Sequence, residues 1–113
     1  MLWLYLARLR TGQAARERLR EDAARFDRGN WPWPIVAVLL GDGDAATVLA
    51  DVRRSTADDK IIRQCEAEFY FGAQSTAQGD TVTARDLLRQ AADICPSFFI
   101  EAIGAKYELA RLP

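Results

Sequence analysis

The chain has 113 residues, half of them hydrophobic and 27% charged, which is enough for one core and too apolar for a disordered segment. Its net charge of −1 argues against a nucleic-acid binder driven by phosphate neutralisation. It contains no histidine, which removes the usual general base, the usual neutral metal ligand and the Ser-His-Asp and Cys-His arrangements.

Seven helices and no sheet are predicted in chain order. The first covers about 2–11 and the second about 13–28, with a turn at Thr11-Gly12. The third spans about 34–40 after the rigid corner Asn30-Trp31-Pro32-Trp33-Pro34, where a proline suits the first turn. Trp31 and Trp33 are expected to pack down and not to form an exposed ledge. Gly41-Asp42-Gly43-Asp44 ends the third helix as a turn and N-cap, since a calcium loop needs about twelve residues and a terminal Glu. The fourth, about 45–54, carries Ala45, Val48, Leu49 and Val52 at helical spacing.

From Ile61 to Ala77 one broad stripe holds Ile61, Ile62, Cys65, Phe69, Gly72, Ala73 and Thr76, while Ala67, Tyr70 and Phe71 fall outside it. Only narrow polar strips, Arg63/Glu66/Gln74 and Gln64/Glu68/Ser75, part the two. A helix apolar on nearly all sides is covered on more than one. Gly79 suits the stop and Asp80 the next N-cap. The sixth helix groups Ala84, Leu87, Leu88, Ala91 and Ile94, and Pro96 closes it. The seventh, from about Ser97 to Arg111, has Phe98, Ala102, Ala105 and Leu109 on one side and Phe99, Ile103, Tyr107 and Ala110 on another.

Little here carries chemistry. There is no GxxxxGK[ST] loop and no GxGxxG fingerprint, and the acid pairs Asp58-Asp59 and Glu66/Glu68 lie on helices without a sign of a cleft. The expectation is a non-enzyme with no catalytic, cofactor-binding or metal residues. No apolar run approaches the ~20 residues of a bilayer span. The opening MLWLYLARLR lacks a basic n-region and a small-residue cleavage site, so it makes a poor signal peptide and the chain reads as cytoplasmic. Residues 1–30 hold seven arginines against four acids, and the remainder eight cations against twelve acids. The arginines alternate with acids, as on a solvated helix face.

Cys65 and Cys95 are too far apart in sequence for a CxxC motif. Thirteen residues out from Cys65 to Ala77 rise about 18 Å and sixteen back from Asp80 to Cys95 about 22 Å, so both sulfurs lie at one end of a hairpin. Two readings stay open: a disulfide, and a pair of small buried thiols kept reduced in the cytosol. The missing export signal favours the thiols.

Cys65 to Pro96 resembles a tetratricopeptide repeat, W-x2-L-G-x2-Y…A-x3-F…P in outline. Phe71 stands for its Leu, Gly72 for its Gly, Ala84 for its Ala, Leu88 for its Phe and Pro96 for its Pro. Glu68 departs where Trp is expected and Ser75 where Tyr is expected. Trp3, Leu6 and Ala7 repeat the spacing in a shortened first unit, in which Leu19 replaces a small Ala. Across about 31–112, WPWPIVAVLLG, CEAEFYFG and FIEAIGAKYELARL are similar to phrases of bacterial tetratricopeptide lipoproteins of the NlpI type.

The resemblance implies one all-α domain over 1–113, a right-handed stack of hairpins at 1–28, 31–55 and 58–96 closed by a terminal helix at 97–111. It implies a protein–protein adaptor or scaffold for a protein or peptide partner, with an envelope location if the family's export extends to this chain. The concave groove falls on Leu4, Arg8 and Thr11 and on Glu66, Phe69, Ala73 and Thr76. A solenoid needs terminal units with a polar outer face, yet both ends here are broadly apolar. Leu2, Trp3, Tyr5, Phe98, Phe99, Ile103 and Tyr107 are therefore expected to form an interface with a partner or a second copy. A late start that omits upstream repeats is the other account of the bare first helix. The alternative function is a structural subunit that homo-oligomerises through its terminal helices.

Overall fold

The computed structural model describes residues 2–11 and 13–113; the turn expected at Gly12 lies outside them. The described residues form seven α-helices and no strand: α1 (Leu2–Arg10), α2 (Ala15–Ala23), α3 (Trp33–Leu39), α4 (Ala45–Arg54), α5 (Lys60–Ala77), α6 (Thr81–Ile94) and α7 (Ile100–Arg111). They gather into two compact units, Met1–Ala45 and Ala46–Pro113. The boundary divides the hairpin expected over 31–55, placing α3 in the first unit and nearly all of α4 in the second.

In the first unit α2 packs against α1 and α3 around Leu2, Tyr5, Leu6, Leu19, Ile35, Val36 and Leu39. Leu19, where a small residue was expected, is fully enclosed. Arg8 Nη1 meets Asp22 Oδ2 at 3.1 Å, tying α1 to α2. Arg20 Nη2 donates to Leu40 O at 3.3 Å, so a side chain of α2 satisfies a carbonyl at the end of α3. α2 stops at Ala23 and not near 28 because Asp27 folds the following segment into a turn, its Oδ1 accepting from Gly29 N at 2.8 Å. The Trp31–Pro32 bond is cis. Trp31 and Trp33 are both half-buried, and Arg28 lies 5.0 Å over the Trp33 ring.

In the second unit α5 and α6 form an antiparallel hairpin. Gly79, at φ +80°, turns the chain, and Asp80 Oδ1 accepts from Thr83 N at 3.1 Å to cap α6. α5 is buried continuously from Ala67 to Ala73, as a helix apolar on most sides requires. A Cβ on Gly72 would stand 2.9 Å from Leu88 Cγ, so the hairpin closes around a missing side chain. α7 then packs on both α5 and α6.

Cys65 and Cys95 are joined as a disulfide, with Cα atoms 4.9 Å apart. The reading as two free thiols gives way to the bonded one: Cys95 sits at the C-cap of α6, opposite the first half of α5. The bridge also pins the junction from which α7 departs.

Candidate functional site

The most unusual element is α7. It turns its small residues inward: Ala102 and Ala105 are 1% and 0% exposed, and Gly104 is buried with them. Small residues permit a close approach to α5 and α6. Tyr70 on α5 adds a hydrogen bond across that contact, its hydroxyl donating to Glu101 Oε1 at 3.4 Å. Burial and the nearby Glu101 and Glu66 carboxylates push the Tyr70 hydroxyl well above the usual tyrosine range, so it stays protonated and remains a donor.

The large apolar residues of α7 point the other way. Ile100, Ile103 and Tyr107 are 49%, 63% and 52% exposed, and Phe98, just before the helix, is 82% exposed. Phe99 is half-buried with its ring edge-on to Phe98 at 5.1 Å. Lys106 and Arg111 are exposed beside this stripe, and Arg111 Nη1 donates to the Tyr107 hydroxyl at 3.0 Å with its guanidinium over the ring. Of the residues expected at an oligomer interface, Phe98, Ile103, Tyr107 and Trp3 are open. Leu2 and Tyr5 are not: at 7% and 3% exposure they belong to the core of the first unit. Ile100 was missed, although its i, i+3, i+7 spacing with Ile103 and Tyr107 is readable in the sequence.

The expected groove is placed differently. Phe69 and Ala73 are 1% and 8% exposed, so they are core residues of the second unit and line no open surface. Glu66 and Thr76 are half-buried, and the Thr76 hydroxyl donates back to Gly72 O at 3.1 Å. In the first unit Leu4 is exposed, Arg8 is committed to Asp22, and the Thr11 hydroxyl contacts Ala7 O at 3.2 Å. Sequence periodicity cannot tell a groove-facing apolar residue from a core one.

A second polar feature lies at Glu68, read in the sequence as part of a narrow polar strip. It is fully buried. Its Oε1 accepts from Gln64 Nε2 at 2.9 Å and from Arg53 Nη2 at 3.4 Å, while the same Arg53 nitrogen also reaches Gln90 Oε1. Oε2 is buried without a partner. Burial raises the carboxyl above its ordinary range, and the donors Gln64 and Arg53 offset only part of that.

Among the described residues no group of three or more His, Cys, Asp or Glu is placed to hold a metal ion, and no helix is long and apolar enough to cross a membrane. No family model matches the chain, and no solved structure is significantly similar to it.

Proposed function

We propose that this chain is a non-enzymatic protein–protein interaction module of tetratricopeptide-like build. The observation that carries the reading is the reversed polarity of α7, which covers alanine and glycine and leaves isoleucine and tyrosine in water, with Phe98 exposed just before it. Contiguous exposed apolar area at that density marks an interaction surface. The tetratricopeptide resemblance supports the same reading, since Gly72 lies against Leu88 in the α5–α6 contact and the small residues Ala84 and Ala91 are buried on α6.

A photo-crosslinking amino acid at position 103, with position 89 on the exposed polar side of α6 as control, tests it in cells. A discrete adduct with a second protein is expected from position 103 alone. If position 103 gives no adduct while the chain sediments as a monomer, the reading is wrong. A crosslink solely to another copy favours the structural-subunit reading, for which the half-exposed Trp3 and Leu4 on α1 also speak.

A further inference from the structure

The chemistry of the α7 surface goes further than its apolarity. At about 100° per residue, Ile100, Ile103, Tyr107 and Ala110 fall on one stripe about 15 Å long, with Lys106 on one side of it and Arg111 on the other; both cations are exposed. The two acids of the helix, Glu101 and Glu108, fall on its far side and are half-buried. The outward face of α7 is therefore apolar along its centre and cationic at both margins, with neither acid of the helix on it.

We propose that this face docks an acidic amphipathic helix of a partner protein, a reading that rests on the interaction-module proposal above. An exposed apolar helix face selects a helix, since helices mesh by seating ridges in grooves, and the described residues offer no strand edge for β-addition. Charge selects the sign, because complementary margins fix partner choice and register. A second copy of α7 is the wrong occupant, because its face carries the same cations. A membrane surface is a poor one, because interfacial helices carry many Lys and Arg along the polar face, whereas α7 has two cations on its exposed side.

The probes are two synthetic helical peptides with Leu at i, i+3, i+4 and i+7, one flanked by Glu and the other by Lys, titrated by fluorescence anisotropy at low and high salt. The Glu-flanked peptide is expected to bind about tenfold tighter than the Lys-flanked one at low salt, the margin shrinking at high salt. Ile103→Glu should cost at least about tenfold in affinity, and Lys106→Glu with Arg111→Glu should reverse the preference between peptides. All three positions are exposed, and helicity by circular dichroism checks that each variant folds. Equal affinity for the two peptides overturns the inference, as does binding to phosphatidylserine vesicles without binding to the acidic peptide. So does a dimer that Ile103→Glu dissociates. If neither peptide binds while the position 103 crosslink to a second protein stands, the partner class is wrong and the interaction-module reading survives.

Discussion

Gly72 and Gly79 are glycines for different reasons, and their substitutions should separate. Gly79 is needed for its left-handed backbone, with open space around it. Gly72 is needed for space, because an added Cβ would meet Leu88 Cγ at 2.9 Å and Leu87 Cβ at 3.3 Å, and Leu88 is fully enclosed. Overpacking of this kind costs about 1–3 kcal/mol, against a gain of about 1 kcal/mol in helix propensity. Gly72→Ala should therefore lose up to about 2 kcal/mol in urea unfolding. A clear gain in stability would mean that α5 and α6 approach less closely than described.

Glu68 makes a prediction with a defined sign. Its folded carboxyl titrates above the unfolded value of 4.5, so the folded chain binds this proton more tightly than the unfolded one. Its contribution is most favourable near or below that value and is lost as pH rises through the folded pKa. Glu68→Gln keeps an acceptor for Arg53 and Gln64 and removes the buried charge. It should raise stability at neutral pH by about 1 kcal/mol, with the gain vanishing near pH 4.5. Urea midpoints at the two pH values check this; a variant weaker than wild type at both would show that the charged pair is net stabilising.

At the scale of elements, the hairpin of α5 and α6 was legible from residues alone. Gly79 and Asp80 punctuate it, and the similar lengths out and back bring Cys65 near Cys95. What residue spacing left open was their oxidation state, since a bond and a pair of thiols need the same proximity. With the bond closing a loop at a sequence separation of 30, Cys65→Ala with Cys95→Ala should cost about 3–4 kcal/mol. Because the bridge also anchors the start of α7, loss of signal from that helix should lead the unfolding of the variant. Thiol titration of denatured, unreduced protein should find no free thiol; two would refute the bridge.

At the scale of the whole molecule, the chain divides into two units with a core each. Gly41 to Asp44, all exposed, lie at the boundary. Cleavage by an Asp-specific protease in this segment should release a C-terminal fragment that keeps α4 to α7 and unfolds cooperatively on heating. A fragment that loses its helicity would show that the second unit depends on the first. The division was hard to read in advance, because α3 and α4 are each amphipathic and a Gly-Asp-Gly-Asp turn serves equally inside a hairpin and between units.

The seven helices, most of their ends and the turn that folds α6 back on α5 are legible locally, because periodicity, prolines, glycines and capping acids act within a few residues of themselves. Which apolar side of each helix is covered is set by packing between helices. That packing buried Leu2, Tyr5, Phe69 and Ala73, enclosed Glu68 with one oxygen unpartnered, and turned α7 so that alanine and glycine face the fold and Ile103 and Tyr107 face water. A helix apolar on two sides carries no local signal for which side a neighbour will cover, since that choice belongs to the close fit of residues distant in the chain.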